Sequence, residues 1–202
     1  EALDDKGSLC YCPRIVIFHA LFDMHVRPEH RFGVFGAPAV KGAAVPANAV
    51  QFSPLVPGST ALEEVAPESF SGMIIAAPPG TLERQYTLAL CLRALMPGAP
   101  LTVTAPKVKG GSRMAKELEA FGCSVGVSSR SHQRICITTR PTIFEAHARA
   151  LLDEAITAGT PRFVDGLGLW TQPGIFSWDS VDPGTVLLLS VLPDLAGRGA
   201  DL

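Results

Sequence analysis

The chain is poor in the features that would place it in several large classes at once. No apolar stretch approaches the roughly 20 residues a membrane span requires; the longest candidate, Thr185 to Leu192, is short and stops at Pro193. The polar, acidic start "EALDDKGS" lacks the basic-then-apolar order of a signal peptide and has no initiator Met, so a cytoplasmic protein is expected, with residues missing ahead of Glu1. Charged residues make up only 18% of the chain and the formal net charge is -2, which argues against a uniformly nucleic-acid-coating domain. Five cysteines, an odd number, include no C-x2-C pair; Cys10 and Cys12 with His19, His25 and His30 lack metal-site spacing, so free thiols and no metal are expected.

With 47% hydrophobic content over 202 residues, the sequence instead specifies a globular chain long enough for one full core and part of another. Short apolar runs alternate with helical stripes. Phe32 to Phe35 reads as a buried strand, the stretch around Val50 as an edge strand limited by Pro54 and Pro57, and Gly72 to Ala76 as a strand closed by Pro78 and Pro79. Thr81 is placed to cap a helix carrying Leu88, Leu92 and Leu95, which Pro97-Gly98 ends. A strand from Ala99 to Pro106 follows, then the Gly-rich loop "KVKGGS", and Ser112 is expected to cap the next helix up to Phe121-Gly122. Strands at Ser124 to Ser129 and Arg134 to Arg140 are too closely spaced for anything but an antiparallel hairpin. The implied fold is α/β: a Rossmann-like sheet, mostly parallel, with an antiparallel terminal hairpin.

A further helix, with a Thr142/Glu145 capping box and a stop at Gly159, reads as a connector over 141–160. A hairpin around Gln172-Pro173-Gly174, a loop from Asp179 to Pro183 and a helix up to Leu192 then open a second unit over 161–202, leaving 1–30 as an extension and 31–140 as the first domain.

Charge is unevenly spread. Between Lys107 and Arg140 seven basic residues face only Glu117 and Glu119. Lys107, Lys109, Arg113, Lys116, Arg130 and Arg134 are the candidate RNA-phosphate contacts; a solvated helix face with loop lysines is the plain alternative. Aromatic platforms for stacking single-stranded bases are not evident nearby. The end of the first strand, "GVFGAPAVKGAA", has no G-x-G-x-x-G and no Gly-Lys phosphate loop, which disfavours a nucleotide-dependent oxidoreductase.

The tail carries a more specific signal. Gly174-Ile175-Phe176-Ser177, Asp182 to Leu189 and Ala200-Asp201-Leu202 together resemble the segment that precedes the S-adenosylmethionine loop in methyltransferases of the "methyltransferase small" group, which includes ribosomal RNA guanine-N2 methyltransferases. The resemblance implies that the chain breaks off where a glycine-rich cofactor loop starts, and that Phe176, Ser177 and Asp179 lie next to the cofactor in the full-length parent. It also implies a duplicated architecture in which residues 31–140 are a degenerate copy of the catalytic fold. Where active copies carry Asn/Asp-Pro-Pro-Phe/Tyr, this chain has Ala77-Pro78-Pro79-Gly80, and its single asparagine, Asn48, is followed by Ala49. In the family the Asn side chain and a backbone carbonyl accept hydrogen bonds from the guanine amine, freeing its lone pair to attack the sulfonium methyl. On this reading the parent is an S-adenosylmethionine-dependent enzyme, while the 202-residue chain is inactive, holds no cofactor, and supports folding of a catalytic domain in cis and binding of RNA, rRNA by resemblance, rather than DNA or a membrane. A non-catalytic scaffold or dimerisation domain is the competing class.

Overall fold

In the computed structural model residues 31–38, 45–193 and 196–197 are described. The chain divides into two units, residues 1–30 and Arg31–Leu202, and everything below concerns the second. Cys10, Cys12 and the three histidines weighed as metal ligands, Asn48's neighbours at 39–44, and the expected strand at Ala200 to Leu202 lie outside the described residues.

The second unit is built on a six-stranded sheet in the order β2-β1-β3-β4-β6-β5. Strands β1 (Phe32–Phe35), β2 (Val50–Gln51), β3 (Gly72–Ala76) and β4 (Pro100–Pro106) run parallel, while β5 (Gly126–Arg130) and β6 (Gln133–Thr139) form the antiparallel hairpin that closes one edge. This is the fold class the sequence implied. At the opposite edge β2 is only two residues long because Pro54 cannot continue a ladder. The Gln51 side chain takes over: its Oε1 accepts from Gly36 N and its Nε2 donates to Gly36 O, both at 3.0 Å, so an amide side chain pairs the turn where backbone cannot.

Helix α1 (Thr81–Ala94) joins β3 to β4 and is buried almost all round: Leu88, Ala89, Leu90, Cys91, Leu92 and Ala94 are all in the core. A helix apolar on every side needs cover on every side. Sheet residues Met73, Ile75, Leu101 and Val103 share one core with it, and α3 (Ala146–Gly159) packs along it, contributing Leu152 and Ala155 to the same core. The segment read as a connector packs as a layer on this core. Its last residue, Gly159, passes tightly over Tyr86, since a Cβ there would stand 2.3 Å from Tyr86 Cβ and Cγ. The sequence reading took this glycine as a stop signal; it is also a contact surface.

Three expected caps are not formed. Thr81 is the first helical residue with Gly80 at the cap, Arg113 rather than Ser112 precedes α2 (Met114–Ala120), and Glu145 itself is the cap residue of α3 with no side-chain bond from Thr142. Ser112 Oγ instead donates to Lys107 O at 2.9 Å, closing the loop before α2. The later hairpin is also displaced: β7 (Arg162–Val164) and β8 (Leu169–Thr171) turn through Asp165 to Gly168, and Gln172-Pro173-Gly174 lies after it. The signal there was Gly166 and Gly168, which the Pro-Gly pair outshone. Helix α4 (Pro183–Val191) does carry a cap, Asp182 Oδ2 accepting from Thr185 N at 3.0 Å. Its run of Val186, Leu187, Leu188, Leu189 and Val191 is exposed among the described residues.

No helix of the described residues is long and apolar enough to cross a membrane. Cys91, Cys123 and Cys136 are free and buried. Burial pushes the thiols of Cys123 and Cys136 up to about 11, and that of Cys91 higher still, so none is a thiolate at neutral pH.

Candidate nucleic-acid interface

Open parallel sheets present their ligands at the carboxyl ends of their strands. Three segments meet at that edge: the "AAPPG" turn after β3, the loop after β4, and the tip of the β5–β6 hairpin. The register explains why. Pro106, ending β4, pairs with Gln133, starting β6, and Lys107 N donates to His132 O at 3.0 Å, so the loop and the hairpin tip are bonded to one another.

The loop itself, Lys107–Gly111, is a single wide turn interrupted by non-helical backbone at Lys109 and at Gly110, whose φ is +86°. Gly110 is needed for a second reason. A Cβ there would stand 2.2 Å from Arg84 Nη1 and 3.2 Å from Pro79 O.

Arg84 is the centre of this region and is fully buried. Its Nε and Nη2 donate to the two oxygens of Glu117 at 2.7 Å each, a bidentate fork across α1 and α2. The remaining nitrogen, Nη1, donates to Pro79 O at 2.8 Å and reaches Pro78 O at 3.3 Å. Prolines supply carbonyls but no N–H. At these two positions the turn therefore offers acceptors only, and a guanidinium satisfies them.

Sequence reasoning missed Arg84 and counted Glu117 only as one of two acids among the basic residues of this segment. Only the paired glycines Gly110-Gly111, marking a place where something bulky passes beneath the backbone, hinted at it. Arg140 is likewise not a surface charge: Nε donates to Leu92 O at 3.0 Å, Nη2 pairs with Glu68 at 2.8 Å, and the guanidinium lies over Phe144. Removing this cation and the internal Glu117 from the tally leaves the excess over Lys107 to Arg140 at +5.

Of the predicted phosphate contacts, Lys107 and Lys109 sit on the loop, Arg113 just before α2, and Arg130 and Arg134 either side of the hairpin tip, so the fold brings these five to one sheet edge. All are exposed except the half-buried Arg134. Lys116 is exposed on the first turn of α2. Ser131 and His132 turn the hairpin with φ of 47° and 66°. Val108, between the two lysines, is 93% exposed.

Phe176, Ser177 and Asp179 fall in the irregular stretch before α4. Phe176 is 81% exposed, and the Trp178 ring lies 5.2 Å below the Arg162 guanidinium. Ser177 has a φ of 54°, and Asp179 accepts from Ser180 Oγ at 3.3 Å. None of the three lines a described cavity.

The fold and this edge define a Rossmann-like α/β sheet of the methyltransferase type. The family resemblance read from the tail holds, for the methyltransferase small domain matches residues 166–202. Among curated relatives, Ribosomal RNA small subunit methyltransferase C of Stutzerimonas stutzeri is 33% identical over 120 residues, covering 59% of this chain and 35% of that protein. The protein of that name from Pseudomonas paraeruginosa is 30% identical over 141 residues, covering 69% and 41%. Among solved structures, a T. thermophilus 16S rRNA methyltransferase in complex with AdoMet and guanosine superposes with a TM-score of 0.55 at 20% identity, over 86% of this chain and 51% of that one, which shows the shared fold. The chain thus spans well under two thirds of the length of the proteins it matches.

The described residues do not fit the methyl donor or its base acceptor at the "AAPPG" turn after β3. Ala77 and Gly80 carry no group to hold either, and the carbonyls of Pro78 and Pro79 are already bonded to Arg84.

Proposed function

We propose that this chain is the leading part of an S-adenosylmethionine-dependent rRNA methyltransferase acting on guanine N2, and that residues 31–140 are a cofactor-free copy of the catalytic fold that grips RNA and supports a catalytic domain beginning near residue 161. The placement of the family match at residues 166–202, beyond the first sheet, supports two successive copies. The observation that carries the reading is the buried Arg84. Its guanidinium bonds carbonyls of the turn where, in an active copy, a backbone carbonyl accepts from the substrate amine, and Glu117 fixes it there. What remains functional at this edge is outside the turn: a cationic rim of Lys107, Lys109, Arg113, Lys116, Arg130 and Arg134, suited to position RNA by its phosphates without reading bases.

Calorimetric titration of the 202-residue protein with S-adenosylmethionine tests the cofactor-free copy, with no saturable heat expected. Saturable, stoichiometric heat would overturn it. The competing scaffold role is supported by the exposed apolar face of α4; RNA binding that is absent even at low salt would favour it.

A further inference from the structure

Among the described residues from 161 onward only Thr171 and Pro173 are buried. They flank Gln172 and lead into Gly174, and Gln172 and Pro173 face one concavity together with Glu83, Tyr86 and Thr87 of α1. The segment that matches the methyltransferase small domain is thus seated on α1 at its opening turn. The seat is Glu83. A Cβ on Gly174 would stand 2.6 Å from Glu83 Cδ and 2.9 Å from its Oε1, so the carboxyl end lies directly against the glycine backbone. Gly174 has a φ of +108°, which favours glycine, and Ile175 N donates to Gln172 O at 3.2 Å to close the turn. The contact is packing rather than charge. Among the described residues no cation pairs with Glu83, and burial raises its pKa, as it does for a carboxyl that has lost water without gaining a cation.

The platform beneath Glu83 is held from several sides. Its chain neighbour Arg84 is tied to Pro79 O and to both oxygens of Glu117, and Thr87 Oγ1 donates to Glu83 O at 2.9 Å. A half-buried side chain on a fixed helical turn is a rigid stop for the backbone that lies on it. We infer that Glu83 is a positioning residue: through its side chain α1 sets the place of the turn at Gly174, and with it the approach to Phe176 and Ser177. The inference rests on the proposed reading only for what the turn serves, a catalytic domain beginning near residue 161.

Backbone 15N relaxation on the 202-residue protein tests the seat with Glu83→Ala, which removes it, and Glu83→Gln, which keeps its shape. Order parameters at Gly174 and Ile175 are expected near 0.85, the value of rigid backbone, in wild type and Glu83→Gln, and below about 0.6 in Glu83→Ala. Leu88 to Leu92 of α1 should be unchanged in all three. The unaltered protein should also show nuclear Overhauser contacts from Glu83 Hγ to Gly174 Hα, a readout that needs no variant. Absence of those contacts, a flexible Gly174 in wild type, an unmoved value in Glu83→Ala, equal loss in both variants, or loss spread through α1 would each overturn the inference. In the protein extended past Leu202, Glu83→Ala should lower kcat/KM for methyl transfer about 10-fold and Glu83→Gln by no more than about 2-fold. Equal activity of all three would overturn the positioning role; a wild type without methyl transfer would instead remove the proposed function, and the relaxation result would decide the seat.

Discussion

Breaking the Arg84–Glu117 fork from one side should be far more damaging than replacing it whole. Glu117→Ala leaves a guanidinium with no exposure facing two fewer acceptors, and stranding one member of a buried ion pair costs about 3–5 kcal/mol. For a domain of this size each kcal/mol moves the melting temperature by roughly 2–4 °C, so a fall of about 6–20 °C is expected. The double change Arg84→Met with Glu117→Leu removes both charges and keeps apolar volume; it should recover most of that loss, because the desolvation cost of the pair disappears with it. It does not restore everything, since Pro79 O loses its donor, at about 1 kcal/mol or more. Differential scanning calorimetry on wild type, single and double variants measures all three. A Glu117→Ala loss below about 1 kcal/mol, or a double variant no better than the single, would refute the description of Arg84 as the buried keystone of this edge. The double variant also frees the loop Lys107–Gly111 from the guanidinium beneath Gly110, so its RNA affinity should fall although no surface cation has been touched.

Other consequences follow from packing and ionisation. Gly159→Ala places a methyl against the Tyr86 ring at 2.3 Å, where neither helix can yield cheaply, and should cost about 1–3 kcal/mol in urea denaturation despite alanine's better helix propensity. Cys91, Cys123 and Cys136, held as thiols by burial, should resist iodoacetamide at pH 8 until denaturant is added. For Glu83, a folded pKa raised by burial means the folded state holds the proton more tightly than the unfolded chain. Its ionisation therefore costs stability, a cost present above the folded pKa and absent below the unfolded one. Glu83→Gln should melt higher than wild type at pH 7, with the difference closing as pH falls through the carboxylate range.

The sheet was largely legible in the sequence because its strands are short apolar runs bounded by Pro and Gly, and because the short link between Arg130 and Gln133 permits only a reversed pair. The caps were less legible: Thr81, Ser112 and Thr142 are all competent side chains, and which residue sits outside the helix was decided by the neighbouring turns. The 141–160 helix looked like a linker because amphipathicity does not say which neighbour receives the apolar face; that Leu152 and Ala155 meet α1 is a tertiary fact. For the candidate interface, the cations could be read one by one but not their convergence, which comes from pairing Pro106 with Gln133. Arg84 was invisible, since a helical arginine carries no sign of being turned inward until Glu117 and the proline carbonyls are seen around it.

The central claim, that this sheet edge grips RNA by phosphate contacts, is most directly tested by the salt dependence of RNA binding, followed by fluorescence anisotropy. Engagement of four to six of the rim cations predicts a log-log slope between about -3 and -5, with each of Lys107→Ala, Lys109→Ala and Arg130→Ala reducing its magnitude by roughly 1. A slope near zero, or one indifferent to these substitutions, would contradict it.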